Sequence, residues 1–355
     1  MIIKKIIRKL QKIFKSSFFW EQQQQFPILI YDETNFELIE EYLPKKSYKV
    51  LNVRNKFNLR IIIKSLFINK FNWNTHSYLD HAIKDINPRL IITTIDNSDY
   101  FWGLKKKFKK ATTICIQNGY RDNYWDIFSK LKNKRKEKVD KIFVFSKEIG
   151  KIYSKFIRGQ VIPIGSVYNN KTKFSKTNDK SIIFISQWFK YDPESFKNNY
   201  QSYLDILSAD RFAFLAVSKF AERNKIKLKV LGKKGLFKEK NATEEEQFFR
   251  EINNNFEFLS ENSNSRTYTY KKISDSYLVA GGDSTLLYES LSQGKKTIFL
   301  CFRYALLKNK SLIFGWPNKF MPNGPFWTDK VEFSSVEKIM KKVWEMNNRN
   351  WINYW

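Results

Sequence analysis

The chain has 355 residues, long enough for two core-bearing domains, and its 42% apolar and 17% aromatic content excludes intrinsic disorder. A formal net charge of +29 calls for an anionic partner or surface: nucleic acid, an anionic membrane face or phosphorylated small molecules. Nucleic acid is disfavoured, because the lysines are spread along the whole chain and no RNP-like, zinc-finger or basic-zipper pattern occurs. The two cysteines, Cys115 and Cys301, each lie in an apolar run and read as reduced, buried thiols of a cytosolic protein. His76 and His81 are the only histidines; their spacing puts them on different faces of a helix, against a histidine metal site or a Ser-His-Asp triad. No Asp-X-Asp triplet occurs, so a metal-diphosphate site of that type has no candidate; neither a metal nor a cofactor is expected.

Residues 1–20 read as a basic amphipathic helix. Ile2, Ile3, Ile6, Ile7, Leu10, Ile13, Phe14 and Phe18 recur at helical spacing against Lys4, Lys5, Arg8, Lys9, Lys12 and Lys15. No apolar run reaches the length of a membrane span, and the segment lacks a signal-peptide core. Such a helix suits an anionic bilayer surface and predicts a peripheral protein on the inner face of the plasma membrane. The competing reading packs it on the protein's own core.

The remainder alternates short apolar strands with helices. Strands are expected at Pro27–Tyr31, Tyr48–Val53, Leu90–Ile95, Thr112–Ile116, Lys141–Phe145 and Val161–Ser166. Helices fall between them, at Asn35–Leu43, Leu59–Phe67, His76–Ile86, Tyr100–Phe108 and Ser146–Phe156. Val167–Asp179 is polar and lysine-rich, and the pattern then restarts. Strands are expected at Ser181–Ser186, Lys227–Leu231, Phe256–Leu259, Tyr277–Ala280 and Thr297–Cys301, with helices at Ser208–Arg223, Glu244–Ile252 and Ser335–Met346. The division expected is 1–20, a first domain over 21–170, a second over 171–330, and a C-terminal helix in 331–355 packing back on the first. The fold class is α/β, two parallel sheets facing across a cleft.

Ligands of such sheets sit at the carboxyl ends of the strands. After Ile116 comes Gln117-Asn118-Gly119-Tyr120-Arg121-Asp122, with Arg121 a fork of donors and Asp122 a candidate general base. Asp96 is a second candidate base, and a helix-capping turn aspartate is its plainer reading. Lys233 or Lys234, after Gly232, could neutralise a diphosphate without a metal; most lysines in so basic a chain are merely solvated. Arg303 carries the same ambiguity. The richest stretch is Gly281-Gly282-Asp283-Ser284-Thr285 through Glu289 to Gly294-Lys295-Lys296, a strand–turn–helix–strand unit. Asp283 or Ser284 is a ready N-cap and Gly294 a ready stop. The helix mouth suits a phosphate, and Glu289 lies one turn in, where it can reach a ribose diol.

These pieces resemble the GT-B glycosyltransferases and, more narrowly, bacterial surface-carbohydrate (capsule, O-antigen, lipopolysaccharide) biosynthesis transferases. The carrying residues are Ile116–Asp122, Gly165-Ser166-Val167-Tyr168-Asn169-Asn170, and Asp283–Leu291 with Gly294-Lys295-Lys296. The resemblance implies two Rossmann-like domains and a nucleotide-sugar donor, with Ser284 and Thr285 at its diphosphate and Glu289 at its ribose. It also implies that Asn118 and Gly119 face a glycan or lipid-linked glycan acceptor or the transferred sugar. No motif fixes the base, so Asp122 is a choice on position. Rival expectations are transfer of another group such as a polyol phosphate, a basic nucleic-acid-binding protein, and a catalytically silent scaffold.

Overall fold

The computed structural model describes residues 17–22, 24–53, 56–68, 74–121, 137–172, 179–193, 196, 199–233, 239–259 and 266–354. Residues 1–16, most of the expected amphipathic helix, lie outside them, as do Asp122 and Lys234. The chain divides into two compact units, Met1–Val167 and Tyr168–Trp355.

The first unit runs β1 (Ser17–Phe19), β2 (Ile28–Tyr31), β3 (Tyr48–Leu51), β4 (Lys56–Asn58), α1 (Leu59–Ile68), α2 (Thr75–Ile86), β5 (Leu90–Thr93), α3 (Asp99–Trp102), α4 (Leu104–Lys107), β6 (Thr112–Ile116), β7 (Glu137–Val144), α5 (Lys147–Phe156) and β8 (Ile157–Pro163). Its main sheet is parallel throughout, in the order β3-β2-β5-β6-β7-β8; β1 and β4 pair separately, also parallel. The pairing of Ser17–Phe19 corrects the expected helix at its last residues: aromatic Phe18 sits beside Phe57 in the pair instead of continuing a helical turn.

Two expected helices break. Asn35–Leu43 forms only two 3-10 turns, Phe36–Leu38 and Glu40–Tyr42, entered from a left-handed Asn35 (φ 63°) that makes no side-chain cap. Tyr100–Phe108 splits into α3 and α4 at Gly103, whose backbone loses the most conformational freedom in a helix. In β7 a register irregularity between Lys138 and Lys141 brings the backbone so close to β8 that a Cβ on Gly159 would lie 2.2 Å from the Val139 carbonyl oxygen.

The second unit runs α6 (Val167–Lys171, begun at the division), β9 (Ser181–Ile185), α7 (Tyr200–Arg223), β10 (Lys227–Leu231), α8 (Glu239–Arg250), β11 (Glu257–Leu259), α9 (Arg266–Ser274), β12 (Leu278–Gly281), α10 (Thr285–Ser292), β13 (Lys296–Leu300), α11 (Phe302–Leu307), β14 (Trp327–Thr328), α12 (Phe333–Glu345) and α13 (Asn348–Ile352). The sheet is again parallel, in the order β11-β10-β9-β12-β13-β14. β9, β12 and β13 are buried at every position, as strands covered on both faces must be.

The C-terminal expectation is corrected. Val336, Met340 and Val343 of α12, and Trp351 of α13, belong to the second unit's core. Their helical spacing presents one apolar stripe, which is buried within this unit. The aromatic stretch before α12 is also ordered by packing: Phe314 stacks on Trp327 at 4.4 Å, and Tyr288 of α10 stacks on Phe314 at 6.0 Å.

Candidate functional site

Numbered in chain order within its own sheet, the second unit reads 3-2-1-4-5-6. Its first strand, β9, has β10 on one side and β12 on the other, so strand order reverses between β9 and β12. A crevice outside the carboxyl ends at such a reversal is where α/β sheets bind ligands. The residues there are Ser186-Gln187-Trp188 after β9 and Gly282-Asp283-Ser284 after β12.

Sequence and space explain the turn. A Cβ on Gly281 would approach the Ile185 carbonyl oxygen at 3.0 Å and Leu287 Cδ1 at 3.3 Å, so this glycine lets β12 and α10 sit close to β9. Gly282 is under no such pressure, its nearest neighbours being Gln187 Oε1 and the Leu300 carbonyl oxygen at 3.8 Å. Ser284 is the N-cap, its hydroxyl accepting from the Leu286 N–H at 3.3 Å, and Thr285 opens the helix. At the far end Gly294 adopts φ 78°; its N–H donates to the Leu291 carbonyl and that of Lys295 to Ser290, the Schellman closure. Both punctuation marks read from the sequence are thus in place.

The turn is tied to its surroundings by groups of lesser sequence signal. Gln187 Nε2 donates to the Asp283 carbonyl. Arg303, just past β13, donates to the Gln187 carbonyl at 3.3 Å and forks onto both Asp210 carboxylate oxygens at 2.9 and 2.6 Å. Its Cζ lies 5.9 Å from the Phe189 ring centroid, and Lys233 Nζ lies 5.6 Å from the same ring. Desolvation of its ammonium, then the Arg303 charge, holds Lys233 below the usual lysine range, although the residue keeps much exposed surface. The Lys233 N–H and the Ser186 hydroxyl both donate to Glu245, a buried carboxylate whose pKa burial raises. Two cations therefore stand at the carboxyl edge of the sheet, near the capped mouth of α10.

Glu289 is 6% exposed and accepts the Tyr270 hydroxyl at 2.7 Å. Tyr270 stacks on Tyr168 at 6.1 Å and 17°. Next to it, Asn169 Nδ2 donates to Ser292 Oγ at 2.8 Å and Gln293 Nε2 to the Asn169 carbonyl at 3.1 Å. Two separated stretches, Tyr168-Asn169 and Glu289–Gln293, thus meet along one side of α10. The Lys295-Lys296 pair is structural: Lys295 Nζ donates to the carbonyls of Ser274 and Ser276, and Lys296 Nζ to Tyr277 and to the carbonyls of Trp344 and Met346. Each closes the carboxyl end of a helix, α9 and α12 respectively.

In the first unit, Asp96 is fully buried, ion-paired with Arg121 and bonded by the Tyr153 hydroxyl at 2.6 Å. That arrangement suits a carboxylate that orients Arg121 better than one that collects a proton from a substrate. Asn118 Oδ1 accepts from Asn35 Nδ2 at 2.5 Å, and the Gly119 carbonyl from Gln117 Nε2 at 2.9 Å. The turn carrying Asn118, Gly119 and Arg121 is thereby fixed at the carboxyl end of β6. Sequence reasoning missed Asp210, Glu245 and Tyr270, polar residues on helices with no periodic or motif signal.

Fold and site together define a two-sheet, Rossmann-like α/β protein of the GT-B-like class. Two solved structures share the fold over 92% of this chain. A "putative UDP-N-acetylglucosamine 2-epimerase" of Listeria monocytogenes is 11% identical, with a TM-score of 0.51 and 92% of its own length covered. The UDP-GlcNAc 2-epimerase of Methanocaldococcus jannaschii, in complex with UDP-GlcNAc and UDP, is 9% identical, with a TM-score of 0.50 and 94% covered. No curated protein matches the chain by sequence. A family model matches residues 114–354, and the chain belongs to that family, described as "putative O-antigen biosynthesis protein".

Proposed function

We propose that the protein is a glycosyltransferase of surface-glycan assembly that takes its sugar from a nucleotide-activated donor. The observation that carries this is the strand-order reversal in the second unit, where a capped helix mouth, Lys233 and Arg303 gather at one sheet edge. The donor diphosphate lies against the N–H groups at Ser284 and Thr285, with Lys233 and Arg303 offsetting its charge in place of a metal. Gly282 and Asp283 form the floor of the turn, and Glu289, oriented by Tyr270, is the carboxylate for the ribose. Membership of an O-antigen family supports a glycan acceptor, and Asn118, Gly119 and Arg121 are the polar groups assigned to it. In the reaction the acceptor hydroxyl oxygen bonds to the sugar's anomeric carbon as the carbon–oxygen bond to the diphosphate breaks. The proton passes to Asp122, and the nucleoside diphosphate leaves with the electron pair.

The test is a panel of nucleotide-sugars incubated with the purified chain and a glycolipid extract. Release of a nucleoside diphosphate, reduced in Lys233→Ala, is expected. Release of a nucleoside monophosphate would instead mark transfer of a polyol phosphate, and conversion of the donor to its C2 epimer an epimerase. A donor that is neither bound nor consumed overturns the reading.

A further inference from the structure

Among the described residues of the first unit, one face of α1 is apolar and exposed. Helix α1 buries only Ile61 and Ser65, while Leu59, Ile63 and Phe67 remain 38%, 42% and 68% exposed. These three follow one another at four-residue steps and so form a single row along the helix. Arg60 and Lys64, both exposed, form the row beside it. Lys64 reaches Asp85 on α2 at 2.5 Å yet keeps 44% of its side chain in solvent. The apolar row extends past the helix start. The parallel register sets Phe19 opposite Asn58, so Trp20, 67% exposed, leaves the strand pair where α1 begins. Asn58 fixes this junction: its Nδ2 donates to the Glu21 carbonyl at 2.8 Å and its Oδ1 accepts from the Arg60 N–H at 3.0 Å.

The geometry points to α1 and Trp20 as a docking surface for an anionic bilayer, the apolar row entering the headgroup boundary and the basic row meeting lipid phosphates. Charge separates this occupant from a second copy of the chain. Two chains of net charge +29 repel one another, whereas an anionic bilayer attracts the Arg60/Lys64 row. An interfacial helix, by contrast, combines an apolar row, a lysine and arginine row, and an aromatic at its margin. None of the described helices is long and apolar enough to cross a membrane, so contact of this kind is at the surface.

Flotation of the full chain with vesicles tests this. Binding is expected to phosphatidylcholine vesicles containing phosphatidylglycerol, weakening with added salt, and to be much poorer with phosphatidylcholine alone. Ile63→Gln combined with Phe67→Gln should lower the partition coefficient about tenfold or more, the scale of one large apolar side chain kept in water, since both are already partly buried. Trp20→Ala should lower it by a smaller factor in the same direction. Both variants alter exposed side chains, and an unchanged melting temperature verifies their fold. Lipid binding as strong in the double variant as in the wild type overturns the proposal. So does a wild-type chain that ignores anionic vesicles, or a dimer seen by sedimentation velocity that the double variant dissociates without change in lipid binding.

Discussion

Lys296 shows how a residue in a motif can serve the fold. Burial pulls its pKa down to about 8, while three acceptors hold it against the end of α12. At neutral pH both folded and unfolded chains carry the proton. As pH rises above about 8 the folded chain releases it first, and the unfolded chain binds more protons. This lysine's contribution to stability should therefore rise with pH from about 8 towards the ordinary lysine range. Chemical denaturation across that window, wild type against Lys296→Met, should show a shallower upward slope in the variant; equal slopes would contradict the assignment. Asp96 makes the matching case in the first unit. Asp96→Ala leaves Arg121 without its carboxylate in a site 13% exposed, and should cost about 3–5 kcal/mol of stability. A variant as stable as the wild type would show that Asp96 does not hold Arg121. Neither role is legible in the sequence. A lysine after a glycine stop and an aspartate after a strand carry the same letters whether they bind a ligand or close a helix.

The unit of β12, α10 and β13 was the most legible element. Its strand, N-cap, helix and glycine stop each follow from local chemistry, because caps and left-handed turns restrict residue type wherever they occur. What the sequence could not distinguish was the two glycines of the turn. Only the packed neighbours separate them: β9 crowds Gly281 and leaves Gly282 in ordinary contact. Gly281→Ala should therefore lower the melting temperature by several degrees, on the order of 1–3 kcal/mol, and Gly282→Ala by far less. Equal losses would contradict the close approach of β12 to β9. The weaker elements fail for a related reason. Asn35–Leu43 has helical spacing but starts from a left-handed asparagine and ends before Pro44, too short a segment to pay for helix nucleation. α9, α11 and α13 lack a clear apolar stripe and are stabilised by tertiary partners such as Tyr270 against Glu289 and Trp351 in the core.

At the scale of the whole molecule, two parallel sheets were legible because buried parallel strands read as short continuous apolar runs, and this chain repeats them in two series. The two units part at Val167/Tyr168, at the start of the polar stretch Val167–Asp179, whose first residues form α6. The ends were harder. The amphipathic stripe of α12 specifies burial without specifying the surface that receives it, and only the structure assigns it to the second unit. The candidate site was half legible: Ser284, Thr285 and Lys233 are placed by strand ends, whereas Arg303 acquires meaning only through Asp210 and Gln187.

The account rests on the second unit's strand-order reversal being a nucleotide site. Isothermal titration calorimetry of the full chain against nucleoside diphosphates and their sugar conjugates measures this directly. At least one should bind, without added metal, and Lys233→Ala should weaken it about tenfold, the loss of one charge-assisted contact. Ser284→Ala should weaken it too, while lowering stability by about 1 kcal/mol through the lost cap. If no nucleotide binds the folded wild-type chain, or if Lys233→Ala and Ser284→Ala bind as the wild type does, the central claim is wrong.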